Sequence, residues 1–260
     1  MKDHPSELPP IILSSSVNVM DHSVALKDPD ERLRYTLESI DHWLKLSPKI
    51  RLVICDGSNY DFTEALKNYH PLEMASQRIE CLHFMNDASL VSTYGKGYGE
   101  GEIIRYALEN SVMLKNEESF CKCTGKLWVK NFFDCLSEWN GRFLCQAYFS
   151  HVFSFKKTQW AYVDTRFYIA NKVLYEQYFS RLHLQVGGKH HLSIEDIFKK
   201  TLIDHQLTGT LFRCHPLVTG VGGASGKYYK DNFVRRNKDR LRLKMVQAHR
   251  QFRTWFNSAV

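Results

Sequence analysis

Apolar residues fall into two rhythms along this chain. Short solid runs, at 11–19, 49–55 and 79–85, alternate with stretches in which an apolar side chain returns every three or four positions. The clearest helical stretch is 30–46, where Leu33, Leu37, Ile40, Trp43 and Leu44 share one face and Pro48 follows the end. A shorter helix is expected over 61–69. Next comes Tyr94-Gly-Lys-Gly-Tyr-Gly-Glu-Gly-Glu102, with glycine at every second position, read as a loop. It leads into a helix that buries Ile103, Ile104, Ala107, Leu108 and Val112. Beyond it the pattern predicts strands over 120–131 (broken at Gly125), 142–155 and 161–169. Helices follow over 172–181 and 190–203, and 210–218 ends the sheet-like portion. Strand and helix alternate in the first half and strands dominate the second, so the expected fold is a mostly parallel α/β sheet with an appended mixed portion.

The last element is different. From Leu241 the residues Leu241, Met245, Ala248, Phe252, Trp255, Phe256 and Ala259 form one helical stripe with cations crowding its flanks. Residues 227–260 hold ten Lys/Arg and two acids, a balance of +8, which leaves the other 226 residues at −1 within a total of +7. The basicity therefore belongs to the tail. The division predicted is 1–226 as the sheet domain and 227–260 as a basic amphipathic helix suited to an anionic membrane surface. A docked helix, an oligomer contact and a nucleic-acid contact are the other uses of such a stripe.

The remaining composition narrows the class. At 43% hydrophobic the chain is globular. No apolar run of about eighteen residues occurs, so no membrane span is expected. The polar start lacks the pattern of a secretory signal. Seven cysteines, an odd count with no Cys-x-x-Cys pair, suit reduced thiols in a cytoplasmic protein.

Candidate chemistry gathers where strands end. Leu52-Val53-Ile54 runs into Asp56-Gly57-Ser58, which delivers a carboxylate to the carboxyl edge of the sheet, where open α/β folds bind ligands. The same three residues are ordinary turn formers. The glycine run with Lys96 and Gly97 could cradle an anion or a sugar ahead of a helix carrying Arg105. Lys122 and Lys126 sit on one strand-like segment. Asp164 and Arg166 interrupt an aromatic strand, as acceptor and phosphate ligands or as an internal ion pair. Glu195 and Asp196 stand at a helix start, where Ser193-x-x-Asp196 also reads as a capping box. Lys227, Arg235 and Arg236 follow the glycine-rich 220–226 segment as further phosphate ligands.

Taken in order, the first strand, Asp56-Gly-Ser-x-x-Asp-x-Thr63, and a glycine-bearing segment before a helix with Arg105 resemble glycosyltransferases of the GT-A fold, distantly those of family 2. The resemblance covers about residues 8–220. It implies a Rossmann-like sheet, a nucleotide-sugar donor (UDP-linked favoured) and a contact from Asp56 to the base. It also implies transfer to a glycan or lipid-linked glycan hydroxyl in bacterial polysaccharide or lipopolysaccharide assembly. An enzyme of this kind would be peripheral to the inner membrane, and an inverting transfer would take Glu195 or Asp196 as base. Such enzymes usually hold a divalent metal with Asp-x-Asp. Here the matching segment reads Lys122-Cys-Thr-Gly-Lys126, so Lys122 and Lys126 are expected to neutralise the diphosphate instead. The alternatives are a sugar nucleotidyltransferase, a class that needs a basic glycine-rich loop after the first strand where this chain has Ser14-Ser15-Ser16, and a nucleic-acid-binding protein acting through the tail.

Overall fold

The computed structural model of the chain describes residues 8–19, 24–187, 192–223, 225–229 and 233–256, with backbone alone at 233 and 235. Strands β1 (Ile11–Ser15) and β2 (Leu52–Asp56) are buried along their whole length. That is what the solid apolar runs require of strands covered on both faces. Between them α1 (Pro29–Leu46) starts where the Asp28 side chain accepts a hydrogen bond from Glu31 N, with Pro29 in its first turn. It lies against the sheet through Thr36, Ser39, Ile40 and Trp43. Helices α2 (Thr63–Tyr69) and α3 (Pro71–Ala75) lead to β3 (Ile79–His83), and α4 (Ala88–Tyr94) and α5 (Lys96–Asn110) to β4 (Ser119–Thr124) and β5 (Leu127–Val129). After α6 (Phe132–Leu136) come β6 (Phe143–Ser150) and β7 (Gln159–Asn171), then α7 (Lys172–Tyr178), α8 (Ile194–Asp204), β8 (Val218–Val221) and β9 (Tyr228–Tyr229). The last described elements are α9 (Phe233–Ala248) and α10 (Arg253–Phe256).

The main sheet has six strands in the order β3-β2-β1-β4-β7-β6. The first four are parallel, and β7 is antiparallel to β4 and to β6. This is the mixed, mostly parallel, Rossmann-like α/β sheet expected from the sequence. A small antiparallel sheet, β5-β8-β9, sits beside its carboxyl edge.

The glycine run differs from expectation. Only Gly95 has a positive φ, 80°, and α5 begins immediately after it, so Gly97, Gly99 and Gly101 are helical. They are there for space, not flexibility. A Cβ at Gly97 would lie 3.1 Å from Ile194, at Gly99 3.3 Å from Val91, and at Gly101 2.2 Å from His183. Helix positions two apart point to opposite sides, so α5 is squeezed from several directions.

The tail also differs. It is two helices, and the residues it buries are Leu243, Val246, Phe252 and Phe256, within the core cluster that holds Phe149 and Val163. Leu241 and Met245, from the expected apolar stripe, are exposed. The chain turns after Ala248, which ends the single stripe and lets Phe252 reach Phe149 with ring centroids 4.9 Å apart. No helix among the described residues is long and apolar enough to cross a membrane.

Candidate functional site

The carboxyl ends of β1 and β4 open into a cavity of about 170 Å³. Three of its walls trace to local sequence. The turn Thr124-Gly125-Lys126 folds tightly onto the end of β1: Gly125 N donates to Ser14 O at 2.8 Å, and a Cβ at Gly125 would sit 2.7 Å from that oxygen. Glycine is therefore required there, and it sets Lys126 beside Ser15. Helix α1 supplies Arg32, whose Nε donates to Ser16 O at 2.6 Å and Nη1 to Leu26 O at 2.9 Å. The loop after β8 closes the third side through Gly222 and Gly223, with Leu26 N donating to Gly223 O.

These walls bring together two cations that form no ion pair among the described residues. Lys126 is 3% exposed, lines the cavity, and its Nζ makes no hydrogen bond among the described residues. Removal from water, with Arg32 nearby, lowers it from 10.5 to about 7. Burial also lowers Arg32, whose Nη2 has no protein partner among the described residues. Ser15 Oγ is buried beside them and equally unpartnered. Burying polar groups in this way costs stability unless something arrives to pair with them. An anion does so.

Opposite the cations stands Glu100, from α5. Its Oε1 accepts three hydrogen bonds, from Ser14 Oγ at 2.9 Å, Lys122 Nζ at 2.6 Å and Thr124 Oγ1 at 3.0 Å. Its Oε2 has no partner among the described residues, and the side chain, 27% exposed, lines the cavity. Burial raises its pKa, but the Lys122 ammonium, with the Ser14 hydroxyl and the Lys96 charge, outweighs that and holds it below the ordinary value. The result is a fixed carboxylate with one oxygen left without a hydrogen bond in the wall of the cavity. Glu195 lines the same cavity. Asp196 does not, because Ser193 and Asp196 form a reciprocal capping box at the start of α8. The pair that sequence left together is thereby separated.

Several expected site residues stand elsewhere. Asp56 is fully buried and absent from the cavity wall. Its Oδ1 accepts from Ser58 N, Ser58 Oγ and Tyr60 N, and its Oδ2 from Val17 N. It ties the end of β2 to the loop after β1 and so braces the Ser15–Val17 wall from behind. Ser58 shares that brace by accepting from Asn18 N, while Gly57 packs against Asn86 and Ile103. Lys122 is consumed by Glu100 and by Thr165 O at 2.7 Å, and so is not a free phosphate ligand. Arg105 pairs with Glu102 and Glu109 on the outer side of α5. Gly97 lines a separate pocket of about 20 Å³. Lys96 does reach the main cavity. Arg166 reaches it too, held by Asp164 in a two-point ion pair and lying 4.9 Å over the Tyr229 ring. That bond to Asp164 raises the guanidinium pKa against the pull of burial. Lys227 is exposed, Arg236 lies on α9 away from the cavity wall, and the Arg235 side chain lies outside the described residues.

Arg32, Ser15 and Glu100 were not read from the sequence as site residues. Arg32 sits inside an amphipathic helix, Ser15 in a plain polar run, and Glu100 within the glycine segment. Only the folded contacts distinguish them.

No family model matches the chain, and no curated protein matches it. Among solved structures it is similar to the apo structure of WbbM, a bifunctional glycosyltransferase, with 11% identity and a TM-score of 0.41. That match covers 75% of this chain and 37% of the other, so the chain spans well under half of that protein's length.

The cavity's donor set does not suit a divalent cation. Four cationic side chains, Arg32, Lys96, Lys126 and Arg166, line it with two carboxylates, Glu100 and Glu195, and no group of three His, Cys, Asp or Glu is gathered to hold a metal ion among the described residues.

Proposed function

We propose that the chain is a glycosyltransferase, taking a sugar from a nucleotide donor and passing it to a glycan hydroxyl in bacterial surface-polysaccharide assembly. The observation that carries this reading is the convergence of Arg32, Lys126 and the Ser15 hydroxyl, all buried and open to one cavity at the carboxyl edge of the sheet. In this reading they receive the diphosphate. The acceptor oxygen attacks the anomeric carbon as Glu195 takes its proton, and the bond from that carbon to the diphosphate oxygen breaks. Negative charge grows on the leaving diphosphate, where Lys126 and Arg32 meet it in a site shielded from water. Attack opposite to the leaving group inverts the anomeric centre. Glu100 Oε2, ionised and fixed, accepts a hydrogen bond from a sugar hydroxyl. The apolar wall of Val19, Val24, Val91 and Ile103 accommodates the uncharged faces of base or sugar.

The test is product analysis after incubation with UDP-, GDP-, CMP- and TDP-sugars and an oligosaccharide or lipid-linked acceptor. Release of the nucleoside diphosphate (the monophosphate for CMP) with a lengthened acceptor is the expected result. Release of pyrophosphate from a nucleoside triphosphate and a sugar phosphate would assign the chain to the nucleotidyltransferases instead.

A further inference from the structure

The hairpin joining β6 to β7 carries a surface that the cavity chemistry does not use. Its tip reads His151-Val-Phe-Ser-Phe-Lys-Lys157. Phe155 is fully exposed and Phe153 nearly half exposed, and Lys156 and Lys157 are exposed beside them. No Asp or Glu occurs from residue 139 to residue 163. Large aromatic side chains in water at a loop tip mark a contact surface more often than a fold requirement.

A second element joins this patch. The Arg242 guanidinium of α9 lies 5.6 Å from the Phe153 ring, which brings the helix alongside the hairpin. On α9, Lys238, Leu241, Lys244 and Met245 fall at three- and four-residue spacing, one face of the helix, and all four are exposed. Leu243 and Val246 face the other way, into the core. The tail is thus bound to the domain and still presents a second, outer stripe of apolar and lysine residues.

We propose that the hairpin tip and this outer face of α9 together form a docking surface for a bilayer bearing anionic headgroups. Apolar side chains inserting among acyl chains and lysines meeting the headgroups are the two attractions such an interface needs, and both elements supply them, the hairpin with Phe153 and Phe155 and α9 with Leu241 and Met245. The surface has a direction. Strand β7 runs from the tip toward Thr165 and Arg166 in the cavity wall, six residues from Gln159 to Thr165, or about 20 Å at strand rise. A bilayer at the tip therefore lies on the cavity's side of the sheet, within reach of an acceptor carried on a lipid. The inference does not depend on the transferase reading, although it gives that reading a membrane-bound acceptor.

The experiment is co-sedimentation of the full chain with vesicles of phosphatidylcholine alone or mixed with phosphatidylglycerol. The wild type is expected on the anionic vesicles and not on the neutral ones. Phe155→Ser, and separately Lys156→Glu with Lys157→Glu, are each expected to reduce binding at least about tenfold. Leu72→Ser, which removes another exposed apolar side chain, on α3, is expected to change nothing. Circular dichroism and melting of each variant report whether it has folded. Failure of the wild type to bind anionic vesicles, or unchanged binding by both tip variants, overturns the proposal. So does RNA binding that the lysine variant abolishes while vesicles are ignored.

Discussion

Lys126 and Arg32 meet behind Gly223: a Cβ at that glycine would lie 3.2 Å from Lys126 Cε and 3.5 Å from Arg32 Nη1. Two cations thus share one small space, where burial and then the Arg32 charge lower the affinity of Lys126 for protons. Filling that space is expected to hurt a ligand more than the fold. Gly223→Ala should therefore weaken pyrophosphate binding several-fold while shifting the melting temperature little, as measured by calorimetry and thermal unfolding.

Lys126 makes the site proton-linked. Its folded pKa of about 7 lies below the ordinary 10.5. Between those values the unfolded chain holds a proton that the folded chain lacks, so this residue's contribution to stability rises with pH across that window. Lys126→Met removes the penalty. Its melting temperature should exceed the wild type's at and below neutrality, and the advantage should fade as pH climbs toward 10.5. An arriving anion restores the charge, so pyrophosphate binding near pH 8 should take up protons. Calorimetry in buffers of different ionisation heats reads this directly, and an uptake of zero contradicts it.

The Glu100–Lys122 pair is a stability element as well as a scaffold. Lys122 is 1% exposed, so removing its partner leaves a buried ammonium, a change that typically costs about 3–5 kcal/mol. Glu100→Ala should show a loss of that order in denaturant unfolding, and Glu100→Gln a smaller one. Glu100 titrates below its ordinary value when folded. Its stabilisation is therefore present above the ordinary carboxylate range and is lost as pH falls through the folded pKa.

Glu195 and Asp196 should separate cleanly. Asp196→Ala removes the return half of the capping box and is expected to cost about 1 kcal/mol of stability or less, with transfer largely kept. Glu195→Gln should leave the melting curve unchanged and lower kcat by about a hundredfold or more. Equal activity in both variants would discard the assigned base.

The fold was largely legible. The solid run at Leu52–Cys55 and the spacing of Leu33, Leu37, Ile40 and Trp43 specify a buried strand and a one-sided helix, and both occur. The glycine segment misled because periodicity cannot show crowding: Gly101 is demanded by His183, which lies 82 residues further along. The site was half legible for the same reason. Lys126 and Glu195 stand at strand and helix ends, where sequence points to chemistry. Asp56 stands at such an end too, but four hydrogen bonds from its own loops absorb its carboxylate. Whether a charged residue serves the ligand or the fold depends on partners that are distant in sequence.

The central claim is that buried cations receive a nucleotide sugar's diphosphate. The most direct measurement is calorimetric binding of UDP-, GDP-, CMP- and TDP-sugars with EDTA present, to the wild type and to Lys126→Met and Arg32→Met. The account predicts that one donor binds in EDTA and that each substitution weakens it at least about tenfold. Binding that appears only on adding Mn²⁺, or that survives both substitutions, would contradict it.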